Sequence, residues 1–414
     1  MIRVLGAVMK QGIALMGGCT LLLGAALTSA SAKPAFEIWL DGDFTNHLES
    51  SRSIEMGAKA AIHDHGGKVL GRDIVIFRKD HRGSSKRSLR NIKNFIKNPN
   101  GIAMMSGIHS PPLLAHRDFI NQSKVLFLVP WAAAGPITRG SNHDNFIFRL
   151  SIDDSQAGGF IAQYASETLK SKKPCLLLEE TGWGKSNFKN MTEGLRKNNV
   201  DVWETIWFRW GLKSNVAHEI ANRLYDRKCD LVLLVANSKE GALLVQSVGS
   251  FSDRKVIPIL SHWGITGGNF HEVVSHDIRS KVNLRFIQTN FNFNQIKTPK
   301  GLQVLETFKK LYNIKSPSEI RAGTGASHAY DLVSIVLNQL KHLDPNKSTK
   351  ELSHQLKERL ESKEIRYQGL LKNYHKPFTK YSGSNPNAHE ALEKGDYSIG
   401  FFDSHGVIWN VTGK

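Results

Sequence analysis

The sequence predicts an α/β protein built on doubly wound parallel sheets, arranged as two similar units in succession. Three observations carry this. Short, continuous apolar runs end in loops of small or polar residues: Ile102-Ala103-Met104-Met105, then Val125-Leu126-Phe127-Leu128-Val129, then Leu231-Val232-Leu233-Leu234-Val235. Unbroken runs of that length suit strands covered on both faces. Segments with helical spacing separate them. Near Phe146-Ile147-Phe148-Arg149-Leu150 the alternation of strand and helix starts afresh. At 414 residues and 40% hydrophobic composition, the chain is long enough for two folded domains.

In order, residues 36–40 read as the first strand, with Asp41-Gly42-Asp43-Phe44-Thr45-Asn46 as its loop. Ile54, Ala58, Ala61, Ile62 and His65 then recur at helical spacing until Gly66-Gly67. Ile74-Val75-Ile76-Phe77 is a second strand, and a basic helix follows. The stretch 101–138 reads as strand, loop, helix, strand, loop; its two loops, Ser106-Gly107-Ile108-His109-Ser110 and Pro130-Trp131-Ala132-Ala133-Ala134-Gly135-Pro136, are the first place to look for a site, because ligands of such sheets lie beyond the carboxyl ends of the strands. In the second unit, strands are expected at 175–178, 202–208, 230–236 and 256–260, with Glu179 to Gly184, Asn237 to Glu240 and Ser261 to Gly264 as loops. Residues 284–293 read as a connecting strand. Two helices follow, then a charged helical stretch at 344–366 and a tail of turns and short strands at 397–402 and 407–409.

The first 32 residues are of another kind. Arg3 and Lys10 precede an apolar core from Ile13 to Leu27, and Ala30-Ser31-Ala32 is a small-x-small cleavage signal. This reads as a secretory signal peptide removed before Lys33; the alternative is an uncleaved anchor. Cys19 follows Met16-Gly17-Gly18 in faint likeness to a lipoprotein site, but the apolar run continues past it. Removing Arg3 and Lys10 lowers the formal charge from +18 to +16. The charge is spread over helix faces, as with Lys86, Arg87, Arg90, Lys93 and Lys97, and export removes access to nucleic acid; an anionic membrane surface or acidic partner suits it better. Cys175 and Cys229 each stand just before an apolar run. On neighbouring strands they would lie side by side, either as a disulfide in an oxidising compartment or as two buried thiols.

Several stretches together resemble the type I periplasmic binding proteins, in particular the branched-chain amino-acid group. They are Met56-Gly57-Ala58-Lys59-Ala60-Ala61 with Gly66-Gly67 and Gly71-Arg72, Asp80 after the second strand, Gly107-Ile108-His109-Ser110, the loop from Pro130 to Thr138, Phe148-Arg149-Leu150, Trp183-Gly184 and Ala329-Tyr330-Asp331. The resemblance spans nearly all of the chain after residue 35. It implies two lobes joined by a three-strand hinge and closing on a ligand, with lobe one at 33–148 plus 290–345 and lobe two at 149–289 plus 346–414. It also implies a periplasmic, monomeric solute-binding protein that delivers its ligand to an ABC-transporter permease. No cofactor or metal is expected.

Carried across, the family's ligand-carboxylate site falls on Ser110, Ala132 and Ala134, where one hydroxyl is missing because Ala134 replaces threonine. The family's tyrosine and acidic positions fall on Asn237 and Trp263, with His262 alongside. The acidic partner for an α-ammonium is absent there, and burying that cation unpaired is costly. Trp131, Trp183 and Trp263 fall instead on three loops, with His109 and His262 beside them, a set suited to stacking on a planar ligand or caging a quaternary ammonium. Phe44 and Thr45 in the first loop are further contacts to consider; Glu179 and Glu180 can pair a cation but read more simply as solvated loop.

Three function classes follow. A solute-binding protein feeding an importer, or a ligand-sensing subunit docked on a membrane receptor, fits all of this. An enzyme is disfavoured, since the chain has no His-Glu-x-x-His, no glycine-x-serine-x-glycine elbow and no cysteine pair at zinc spacing. A DNA-binding repressor on the same core needs a helix-turn-helix where the export signal stands.

Overall fold

The computed structural model describes residues 33–140, 144–362 and 364–411. The expected signal peptide lies outside them. The first lobe opens with β1 (Phe36–Gly42), α1 (Leu48–Asp64), β2 (Lys68–Val69), β3 (Arg72–Asp80), α2 (Ser85–Ile96), β4 (Gly101–Ser106), α3 (Ser110–Gln122), β5 (Phe127–Val129) and β6 (Ile147–Arg149). The second lobe runs α4 (Asp154–Gln163), β7 (Pro174–Glu179), α5 (Gly182–Lys197), β8 (Glu204–Phe208), α6 (Ser214–Asp226), β9 (Leu231–Val235), α7 (Ser238–Gly249), β10 (Ile259–Ser261), α8 (Phe270–Val273), α9 (His276–Lys281) and β11 (Arg285–Thr289). The chain then returns with α10 (Pro299–Tyr312), α11 (Gly323–Leu340), α12 (Thr349–Ser362), β12 (Arg366–Gln368) and β13 (Asn373–His375), and crosses again to β14 (Tyr397–Phe402) and β15 (Ile408–Asn410). Among the described residues no helix is long and apolar enough to cross a membrane.

The first sheet has the order β2-β3-β1-β4-β5-β6 and the second β15-β14-β11-β10-β9-β7-β8. The chain leaves β1 toward β3 on one side and reaches β4 on the other, so the strand order reverses between β1 and β4. The same reversal occurs between β7 and β9. These are the two switch points, where the loops after adjacent strands part and leave a crevice. The loops so placed are those after β1, β4, β7 and β9. The run at 284–293 is shorter than expected as a strand: β11 is an interior member of the second sheet, parallel to β10 and antiparallel to β14, and the crossing itself is made by the residues after it. Cys175 and Cys229 are joined in a disulfide with Cα atoms 5.8 Å apart, β7 and β9 being neighbours.

One lobe boundary differs from expectation. Residues 346–375, assigned from sequence to the second lobe, pack on the first. Leu352, Leu356 and Leu360 bury one face of α12 against α11 and β4. Beyond it, the Asp331 carboxylate accepts hydrogen bonds from the backbone N–H groups of Leu370 and Leu371 (2.7 and 3.0 Å) and from the Tyr374 hydroxyl (2.8 Å). The charged composition of this helix hides a narrow apolar stripe of leucines that faces α11 and β4.

The tail from 376 to 392 runs alongside β6. Arg149 donates its backbone N–H to His389, Ala391 donates to Arg149, and the His389 ring contacts the Ile147 carbonyl and stacks on Phe148 at 3.9 Å. This brings Glu390 to the Arg149 side chain. The guanidinium is fully buried and donates to Glu390 (2.6 and 2.7 Å), Asp153 (2.9 Å) and the Ala134 carbonyl (2.8 Å). Arg139 adds a second cation on Asp153 at 2.6 Å. Burial disfavours the Arg149 charge, but the two carboxylates outweigh it and hold the guanidinium more firmly protonated than usual.

Glu390→Gln therefore removes a counter-charge from beside a fully buried cation and is expected to cost about 3–5 kcal/mol in urea unfolding. The packing of α1 on α11 gives a second test. A Cβ on Gly57 would overlap the backbone carbonyl of Ala326, so Gly57→Ala is expected to lower stability by about 1–3 kcal/mol, despite alanine's better helix propensity.

Candidate functional site

The loops of both switch points meet in one cleft. Its wall consists of Ile108, His109, Ser110 and Pro111 at the start of α3, Trp131 and Ala133 after β5, Glu179 and Trp183 after β7, Asn237 after β9, and Trp263 and Gly264 after β10. The free space between them is about 10 Å³, room for about one water. The tryptophans fill the cleft: the rings of Trp131 and Trp263 stand 5.8 Å apart, and Trp263 lies 5.3 Å from His328. A ligand enters only if the lobes open or these rings turn aside. Glycines seat the indoles. A Cβ on Gly325 would lie 2.8 Å from the Trp131 ring, and one on Gly264 would lie 2.7 Å from Trp183.

The polar wall is tightly organised. Ala134 donates its N–H to the Ser110 hydroxyl at 3.2 Å, which joins the two first-lobe loops. The Glu179 side chain is fully buried and accepts from Asn237 Nδ2 (3.1 Å) and the Thr181 hydroxyl (3.0 Å). Burial pushes its carboxyl above the usual glutamate value, partly opposed by a hydrogen bond from Trp210 and the nearby His109. His262 is fully buried, 3.0 Å from the Asp154 carboxylate, and its Nδ1 accepts the Trp263 N–H. Two indole groups stand out. Trp131 Nε1 and Trp183 Nε1 are buried donors without an acceptor, a costly arrangement that an incoming oxygen would relieve.

Of the residues expected from sequence, His109, Ser110, Trp131, Trp183, Asn237 and Trp263 line the cleft. Ala132 and Ala134 do not; their carbonyls face Arg149, at 3.4 and 2.8 Å, and the intervening Ala133 is the residue exposed to the cleft. His262 lies one layer behind, against Trp183 at 5.1 Å. Phe44 does not line the cleft; its ring lies under the Arg78 guanidinium, 5.4 Å from the ring centre. Glu179 is the reverse case. Read from sequence as solvated loop, it is the buried carboxylate of the cleft, supplied from β7 rather than from the position the resemblance suggested. Glu180 is the exposed neighbour and pairs with Arg209.

Beside the cleft the loop after β1 brings Asp43 and His47 to His109. His109 Nε2 is 3.3 Å from Asp43 Oδ2, the His47 and His109 rings are 4.6 Å apart, and Trp210 of the second lobe covers His109 at 5.0 Å. Trp210 was missed from sequence, because it lies past the end of the edge strand β8. A larger cavity, about 350 Å³, lies by the crossing segments and includes Phe291, Asn292, Arg321 and His405 in its lining. It lies away from the strand ends at both switch points.

The sequence model of the periplasmic binding protein family matches residues 41–371. No curated protein matches the chain in sequence. Among solved structures, the fold is shared with a type 1 periplasmic binding protein of Bordetella pertussis Tohama I (TM-score 0.72, 15% identity, 91% of this chain and 99% of that one). It is shared with LivJ of Streptococcus pneumoniae in complex with isoleucine (TM-score 0.69, 18% identity, 91% and 99%). It is also shared with a solute-binding protein of an ABC transporter from Rhodopseudomonas palustris HaA2 in complex with p-hydroxybenzoic acid (TM-score 0.73, 14% identity, 91% and 95%). With four-fifths of its length matched by the family's sequence model, its two switch points facing one cleft and its three crossing segments, the chain belongs to the periplasmic binding proteins.

Proposed function

We propose that the protein is an extracytoplasmic solute-binding protein that captures a small aromatic carboxylic acid between its lobes and hands it to an ABC importer. One observation carries the ligand class: three tryptophans from three loops wall the cleft, and two of them hold buried N–H donors that lack an acceptor. A flat ring satisfies the indole faces, and a carboxylate or phenolic oxygen satisfies the donors. Glu179, with its raised pKa, can add a further donor when neutral. A benzoate-type ligand suits the cleft better than a quaternary ammonium, which has no acceptor to offer. The p-hydroxybenzoate-bound neighbour supports the choice as analogy only.

A second ligand class is favoured by one finding. Glu179 supplies the acidic group that an α-amino acid would need for its ammonium, so an aliphatic amino acid is the competing ligand. Export through a cleaved leader at 1–32, a monomeric state and docking on the permease complete the proposal. The variant in which the closed lobes signal to a membrane receptor uses the same cleft and differs only in the partner.

The test is a thermal-shift and calorimetric screen of residues 33–414, refolded from denaturant, against benzoate, hydroxybenzoates, leucine, isoleucine and choline. Hydroxybenzoates are expected to bind one per chain and, at a hundred times their dissociation constant, to add about 2.7 kcal/mol of stability. Trp183→Phe, which keeps a ring but loses the donor, is expected to weaken binding by about 5- to 30-fold, the worth of one hydrogen bond at about 1–2 kcal/mol. Glu179→Gln separates the two ligand classes: it spares binding of an aromatic acid and abolishes that of an amino acid. Binding of leucine or isoleucine alone would overturn the aromatic assignment. Uptake of the bound compound into cells, lost when the gene is deleted, separates transport from sensing.

A further inference from the structure

Asp43, His47 and His109 each offer a ligand atom, and these atoms all lie within 4.8 Å of one another. We propose that they form a binding site for a divalent transition-metal ion of the zinc type, at the rim of the cleft. Two imidazoles and one carboxylate are a donor set for zinc and its neighbours, whereas calcium and magnesium call for oxygen ligands.

The geometry is close to what an ion needs. Four ligands placed tetrahedrally at about 2.0–2.1 Å from zinc stand about 3.3 Å from one another. Asp43 Oδ2 and His109 Nε2 are 3.3 Å apart. The His47 ligand atom stands within 4.8 Å of both and completes the third corner by moving toward them. Both Asp43 and His109 are almost wholly buried, with side-chain exposures of 1% and 3%, so they form a fixed pair rather than a chance surface cluster.

The support behind the ligands is also present. Asn46 donates its backbone N–H to Asp43 Oδ1 at 2.8 Å, and its amide Nδ2 reaches both carboxylate oxygens at 3.1 and 3.2 Å. That orients the carboxylate toward the histidines, as outer partners of metal ligands do. Asp80 holds the same loop from the other side through the Phe44 N–H (3.0 Å) and the Thr45 hydroxyl (2.6 Å). There is an entry path. His47 is half-buried and opens on a cavity of about 410 Å³ that also touches Thr45, Asn46, Ser238 and Lys239. Of the three groups only His47 lines that cavity, so water reaches the site from the His47 side.

The site joins the two lobes as well. Trp210 comes from the second lobe and rests on His109, and its ring also approaches Gly83 of the first. An ion bound to His109 therefore sits under a side chain that must leave when the cleft opens, and metal occupancy is coupled to closure. No local pattern marks this cluster, because the third ligand lies 62 residues from the second and only the β1–β4 switch point unites them.

The experiment uses residues 33–414 freed of metal with a chelator, and zinc or cobalt ion alone as the probe. Calorimetry is expected to show one zinc ion per chain, and cobalt is expected to give the visible absorption of a low-symmetry site with nitrogen ligands. His47→Ala and Asp43→Asn are each expected to weaken zinc by at least about tenfold, the least that loss of even an outer partner costs. His276→Ala, an exposed histidine far in sequence from the cluster, serves as the control and is expected to bind as the parent does. Thermal melting checks that each variant folds; should Asp43→Asn not fold, the half-buried His47→Ala decides. Absence of zinc binding, or zinc binding that His47→Ala leaves unchanged, overturns the proposal. The probe is the metal alone, so this result is independent of which organic solute the cleft takes.

Discussion

The structure depends most on the buried guanidinium of Arg149. It stands where the chain first leaves one lobe for the other and reaches four separate pieces of backbone: the crossing strand itself, the loop after β5 through the Ala132 and Ala134 carbonyls, the start of α4 through Asp153, and the tail through Glu390. Two arginines face two carboxylates, so the group is near neutral as a whole, and its charges are hydrogen-bonded as burial demands. A consequence is rigidity where it matters. The loop that carries Trp131 is pinned from behind, and its neighbour Asp153 caps α4 by accepting the Ser155 N–H. The cleft loop, the crossing strand and the start of α4 are thereby tied to one another.

The cleft follows from topology. Each sheet reverses its strand order once, and the loops that part there point at the same gap. Small residues let large ones in: Gly264 and Gly325 make room for Trp183 and Trp131, and Ala133 lines the cleft while its neighbours turn their carbonyls to Arg149. The indoles then leave room for about one water in the cleft they wall. Closure without a ligand buries three aromatic surfaces but strands two N–H groups, so the apolar gain is offset by unmet hydrogen bonds. A ligand with a ring and an acceptor oxygen keeps the first term and removes the second.

Much of this was legible in the sequence, for definite reasons. Continuous apolar runs mark doubly covered strands, and the strands come where those runs fall; the family resemblance located the loops after them. Six of the expected site residues line the cleft because their positions are fixed by strand ends. The differences have one cause each. Ala132 and Ala134 are expected at the ligand by analogy and do not line the cleft; how this loop turns depends on Arg149, which lies 15 and more residues away and takes their carbonyls. Glu179 looked like half of a solvated acidic pair, and only the arrival of Asn237 from β9 shows it buried. Helix α12 was assigned to the wrong lobe because its charge masks its leucines. The meeting of Asp43, His47 and His109 needs three-dimensional closure of two loops and has no local signature.

The most direct test of the account is a crystal structure of the protein with the tightest-binding compound from the screen. The account predicts the compound between the lobes, its ring against Trp263 and an oxygen within hydrogen-bond distance of Trp131 Nε1 and Trp183 Nε1. A compound lodged instead in the cavity beside the crossing segments, with both indole donors still unpaired, would contradict it.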